Sequence, residues 1–172
     1  ASPPSQQSTH GIERQRIVVD YDNELAARRI GHRFGRNGVL DRLLRRGVRP
    51  VRGRLTLAFA NVAAFLRFDP ANPYATRFVD EDFNRVWTPG TLDGPGRSVE
   101  LQRARQLRPF VDAADYLLDI HSMLEPSPPV MICGPLDKGI RFAFEVGVPE
   151  HVVSDVGHSN GTRMRDYGGF GD

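Results

Sequence analysis

Three segments of this 172-residue chain carry side chains able to do chemistry together. The first is Thr9-His10-Gly11-Ile12-Glu13. A histidine and a glutamate three apart on a turn can reach one metal ion, the imidazole giving a neutral nitrogen and the carboxylate an anionic oxygen. His-x-x-Glu also recurs by chance on surface loops, so alone it is a weak signal. The second segment, Asp119-Ile120-His121-Ser122, closes an apolar run of strand length, Tyr116 to Ile120. Ligands of open α/β sheets collect at the carboxyl ends of strands. His121 would sit there as a metal ligand, with Asp119 or a backbone carbonyl orienting its ring. A hydrogen-bonded core histidine is an equal reading of this segment by itself. The third runs Arg77-Phe78-Val79-Asp80-Glu81-Asp82-Phe83-Asn84-Arg85. Arg85 and Asn84 can present a guanidinium fork plus an amide to a carboxylate, and Asp80 and Asp82 can hold the arginines in place. The plain alternative is a surface ion-pair network, which stabilises little.

The elements that must position these groups follow from the apolar pattern. Ile17-Val18-Val19 reads as a short strand and Glu24 to Ile30 as a helical turn or two, while residues 1–37 as a whole are poorly defined. Val39 to Arg46 reads as a helix stopped by Gly47, with Pro50 beyond. Leu55 to Ala60 is a strand bounded by Gly53 and Asn61. Residues 61–97 are rich in proline and glycine and lack periodicity, which predicts a long ordered loop; loops of that length tend to be functional. Ser98 is placed to cap a helix whose stripe is Leu101, Ala104, Leu107 and Phe110. Strands follow at Tyr116–Ile120, Val130–Cys133 and His151–Ser154, with a helix over Ile140–Val146. Strands alternating with helices predict one α/β domain over 1–172, a mostly parallel or mixed central sheet with helices on both faces.

Composition narrows the function classes. Hydrophobic residues make up 40% and charged residues 26%, ordinary for a soluble globular protein. No apolar run approaches the ~20 residues of a membrane span, and Ala1 to Thr9 lacks signal-peptide character. Cytoplasm is therefore the expected compartment. The single cysteine, Cys133, excludes an intrachain disulfide and a multi-cysteine zinc site, and its apolar surroundings favour packing over nucleophilic duty. The net charge is +2 and Lys138 is the only lysine among 23 basic residues. Such arginine bias reflects a GC-rich genome better than a nucleic-acid binder. The densest cluster, Arg42 to Arg54, interleaves with Leu40, Leu43 and Leu44 as on a solvated amphipathic helix.

Together these segments resemble the succinylglutamate desuccinylase/aspartoacylase family, related in fold to the zinc carboxypeptidases. That family shows Gly/Thr-His-Gly-x-Glu, a strand ending in Asn-x-x-Ala, Arg-(Tyr/Phe)-x-Asp-x-Asp-(Leu/Phe)-Asn-Arg, and a strand ending in Asp-x-His. Here they stand as Thr9 to Glu13, Asn61-Val62-Ala63-Ala64, Arg77 to Arg85, and Asp119-Ile120-His121. The resemblance implies that His10, Glu13 and His121 bind Zn2+, leaving a fourth position for water. It implies that Arg77 polarises the scissile carbonyl and that Asn84 and Arg85 hold the substrate's carboxylate. Arg163 or Arg165, in the polar tail from His158 to Tyr167, would contact a second carboxylate; a solvated loop is the equal alternative there. The implied reaction is hydrolysis of the amide bond of an N-acyl amino acid.

Two departures from the family accompany this resemblance. The chain stops before the strand that carries the family's catalytic glutamate, so neither Glu145 nor Glu150 takes that role and little activity is expected of this truncated N-terminal part. The interval from Glu13 to Asn61 exceeds the family's, so either residues 14–37 hold an insertion or the first motif is accidental. Two other functions compete: carboxypeptidase action on a peptide terminus, and an inactive, metal-free carboxylate-binding fragment. The expected partner is a small-molecule N-acyl amino acid, with neither nucleic acid nor membrane; assembly into a homo-oligomer is left open.

Overall fold

The computed structural model describes residues 15–21, 39–69, 71–121 and 126–167. The motif holding His10 and Glu13, and the helical turns expected at Glu24 to Ile30, lie outside the described residues. The apolar triplet at Ile17 belongs to a longer strand, β1 (Gln15–Tyr21), which turns out to be the middle of a sheet. Helix α1 (Val39–Arg45) leads into β2 (Arg54–Phe59). Four short helical pieces follow: α2 (Val62–Arg67), α3 (Pro73–Thr76), a 3-10 turn (Phe83–Arg85) and α4 (Pro89–Asp93). The long helix α5 (Val99–Asp112) then precedes β3 (Tyr116–His121). Strand β4 (Met131–Cys133), α6 (Asp137–Val146), β5 (Val152–Ser154) and α7 (Met164–Tyr167) complete the described chain.

The fold is thus mixed α/β, with seven α-helices among the described residues. Both of its ladders are parallel, a three-stranded sheet in the order β2-β1-β3 and a two-stranded pair β4-β5. Parallel neighbours need crossover connections, and helices lie between β2 and β3 and between β4 and β5. In register, Asp20 of β1 faces Phe59 and Ile120, so β2 and β3 finish at the same edge, one on each side of β1. His121 therefore stands at a strand's carboxyl end, beside Tyr21 in the ladder.

Residues 61–97 correct the expectation of a plain loop. Each helical piece there is too short to show a period, and three of the four are fixed by a local side-chain cap instead. Asn61 accepts from the Ala64 amide, Asp82 from the Asn84 amide and Thr88 from the Thr91 amide. Such caps satisfy donors that a one-turn helix leaves unpaired. The polar tail likewise ends in a helical turn, α7.

Helix α5 organises the core. Ser98 caps it as its sequence predicts, accepting from the Leu101 amide at 3.1 Å. The buried face is Leu101, Ala104, Leu107 and Val111; Phe110, predicted for the stripe, is instead half exposed. Trp87, Phe83 and Met164 pack against that face, with the Phe83 and Trp87 rings edge to face at 5.6 Å. On the polar side of α5, Arg103 donates to the Phe59 and Ala60 carbonyls, and Arg105 to those of Leu92, Gly94 and Gly96. These guanidinium groups close the carboxyl ends of β2 and α4. In the Arg42–Arg54 cluster, Arg42, Leu44 and residues 45–52 are exposed while Leu40 is fully buried, an amphipathic pattern. No described helix is long and apolar enough to cross a membrane.

Candidate functional site

The end of β3 and the acidic loop meet at two side chains. His121 Nε2 lies 2.9 Å from Asp119 Oδ2 and 3.5 Å from Asn84 Nδ2. Asn84 is held on both sides: its backbone N–H donates to Asp82 Oδ1 at 2.9 Å, and its Oδ1 accepts from the Met164 N–H at 3.2 Å. The second bond sets the amide's orientation, turning Nδ2 towards the imidazole. Since Nε2 faces a carboxylate, the tautomer with a proton there is favoured, and Nδ1 carries the lone pair. In that tautomer the Asn84 amide touches the ring without bonding to it.

Asp82 gathers the arginines. Its Oδ2 forms an ion pair with Arg77 and lies 4.0 Å from Arg85 Nη2. Arg85 Nη1 also donates to the Asn84 carbonyl at 2.6 Å. Asp80, expected beside the arginines, accepts from the Val99 N–H at 2.8 Å instead, tying the loop to the start of α5.

The tail closes on the same loop from the other side. Val86 and Thr162 form a parallel bridge, and the Trp87 N–H donates to the Thr162 carbonyl at 3.2 Å. Gly161 makes this approach, with φ of +135°; a Cβ there would meet the Arg85 carbonyl oxygen at 2.8 Å. Only glycine tolerates both the conformation and the contact. Arg163 and Arg165 flank Met164 and so border Asn84, but their charges are engaged by Asp155 and Asp166. Arg163 Nη1 pairs with Asp155 at 2.9 Å and its Nε with Asp166 at 2.6 Å; Arg165 pairs with Asp166 at 2.6 Å.

The guanidinium of Arg163, followed by the Gly157 amide, holds the Asp155 carboxyl well below the usual carboxylate range. A depressed carboxylate contributes stability that is present above its unfolded pKa and lost as pH falls through its folded one. Thermal unfolding of the Asp155→Asn variant is therefore expected to lag the parent by a constant margin above about pH 5, a margin that shrinks below about pH 4. A margin that persists unchanged to about pH 2 would contradict the pairing.

Sequence reasoning passed over Glu100. It is fully buried, and its carboxylate accepts from Asn61 Nδ2 and from three successive backbone amides, Val79, Asp80 and Glu81. Its spacing from Ala104, Leu107 and Val111 already put it on the apolar face of α5, where an unpaired carboxylate is costly.

His121 offers one imidazole nitrogen to a cation, and Asp119 sets which nitrogen that is. Asp119 Oδ1 is buried with no hydrogen-bond partner among the described residues. An imidazole nitrogen is an ordinary zinc donor, so the pair fits the ion as one ligand and its support. No third His, Cys, Asp or Glu joins them among the described residues. Cys133 does not contribute; it is buried on β4 with its thiol towards the Val153 carbonyl.

Comparison with family models, curated proteins and solved structures found no match.

Proposed function

We propose that this chain is the metal- and carboxylate-binding part of a zinc-dependent hydrolase, with a zinc carboxypeptidase-like arrangement, that cleaves the amide bond of an N-acyl amino acid. The observation that carries the reading is the meeting of Asn84 and His121 across 3.5 Å. Two motifs 37 positions apart in sequence, one suited to a carboxylate and one to a metal, share a corner of the fold. His121, with His10 and Glu13 from the first motif, would hold the ion, and Asp119 would orient the imidazole.

Bound zinc supplies a water acidified towards a pKa of about 7 and an electrophile for the carbonyl oxygen. The chain's own residues do the rest. Asn84 keeps its N–H groups turned to the ligand because Met164 occupies its oxygen. Arg85, positioned through the Asn84 carbonyl and Asp82, offers its charge to the substrate's carboxylate. Arg77, steadied by Asp82, stabilises negative charge developing on the scissile carbonyl. Proton relay to the leaving amine belongs to a glutamate that none of these segments provides.

Binding tests the reading more directly than turnover. Calorimetry with zinc and then N-acetyl-L-aspartate is expected to give one zinc per chain and a saturable ligand. Arg85→Ala should weaken the ligand at least about tenfold, the loss of one charge-assisted bond. Metal-free protein that still binds the ligand through Arg85 would point to a carboxylate-binding module instead. Failure to bind either probe would end the proposal.

A further inference from the structure

The loop that delivers Asn84 has no regular secondary structure between Arg77 and Asp82, yet its backbone is pinned at one point. Val79, Asp80 and Glu81 donate their amides to a single carboxylate, that of Glu100, at 2.6, 3.0 and 3.3 Å. Successive amides converging on one anion form a nest of the kind that binds phosphates and carboxylates; here the anion comes from the chain itself. The loop returns the contact, since Asp80 accepts from the Val99 N–H and Glu81 from the Ser98 hydroxyl. Asn61, at the end of β2, completes the shell of Glu100 through Nδ2 at 3.1 Å while its oxygen caps α2.

We propose that Glu100 is a positioning residue of the carboxylate-binding loop: its side chain fixes the backbone of Val79–Glu81, and through it the placement of Asn84 at His121 and of Arg77 at Asp82. The inference rests on the binding role argued above for Asn84 and Arg85. Burial alone pushes the Glu100 carboxyl up, but the amides of Val79 and Asp80 and the Asn61 side chain outweigh it, so it titrates below its ordinary range. The anion is therefore the working form. A neutral side chain of equal shape does not replace it, because the amide introduced by Glu100→Gln would turn its own N–H groups on at least one of the surrounding donors. Glu100 touches neither substrate nor metal; it acts through the loop.

The test compares the parent with Glu100→Gln, each titrated with zinc and then with N-acetyl-L-aspartate, alongside hydrogen exchange of the loop amides. In the parent, the Val79, Asp80 and Glu81 amides are expected to exchange slowly although they lie in a loop. In the variant they should exchange at least about tenfold faster, ligand affinity should fall at least about tenfold, and zinc affinity should stay within about twofold. A merely structural role would lower zinc and ligand binding together with thermal stability. A folded variant that binds the ligand as the parent does overturns the proposal while leaving the hydrolase reading intact. A parent that binds no ligand defeats that reading first, and this one with it. Should Glu100→Gln not fold, Asn61→Ala, which removes one bond to the carboxylate from outside the loop, is expected to show the same pattern at lower amplitude; unchanged exchange and affinity there also overturn it.

Discussion

Alanine in place of His121 is expected to abolish stoichiometric zinc binding, taking the metal content of purified protein from about one per chain to a trace. The physical basis is the tautomer. Asp119 receives the Nε2 proton at 2.9 Å, which orients the ring and makes the opposite nitrogen a better donor. Without the imidazole a carboxylate is left that is only 9% exposed, beside whatever the first motif contributes. A partner variant separates ligand from support: Asp119→Asn keeps the imidazole but weakens its orientation, and should cost roughly 10–100-fold in zinc affinity. Metal analysis after dialysis against a weak chelator checks both. Unaltered zinc in His121→Ala would place the metal elsewhere and remove the basis for a hydrolase.

Trp87→Ala should be the most destabilising single change in the described core. The side chain is fully buried between Phe83, Tyr167 and the apolar face of α5. Truncating a buried tryptophan costs about 3–5 kcal/mol in lost transfer energy and cavity. For a chain of this size that lowers the melting temperature by roughly 6–20 °C. Trp87→Phe is expected to cost less than half as much, because the indole N–H has no partner among the described residues and its removal relieves a buried unsatisfied donor. Differential scanning calorimetry measures both. A shift below about 2 °C for the alanine variant would mean that the tryptophan is not packed as described. The consequence reaches the site, since Trp87 lies two residues beyond Arg85 and bonds to Thr162 in the tail.

Much of the architecture was legible because it is written in local chemistry. Tyr116–His121 is an apolar run with no competing signal, and Ser98 is a hydroxyl at the head of an apolar stripe. Both appear where the pattern puts them. The segment 61–97 was not legible as helix because pieces of three to six residues contain no repeat, and three of them are capped by single side chains. The contact of Asn84 with His121 is a finding of the fold, whereas Asp80 was assigned to the wrong partner. Which carboxylate serves an arginine and which a backbone amide depends on the third dimension, and composition does not decide it. Glu100 shows the same limit from the other side. Its position on a buried face was visible, but the three amides that justify the burial lie about 20 residues upstream.

The order of the strands has a bearing on how the molecule comes into being. Of the described strands β1 comes first in the chain yet occupies the middle, and it joins β2 across 39 residues of chain, from Gln15 to Arg54, and β3 across 100, from Arg16 to Tyr116. Neither edge of β1 can be satisfied by its immediate neighbours, so closing those spans must precede any reward from pairing. During synthesis β1 must wait for the segment carrying His121 before its second flank is covered. The corner where the imidazole sits is consequently among the last features of this sheet to take shape, and slow acquisition of zinc affinity relative to helix formation would be its kinetic signature.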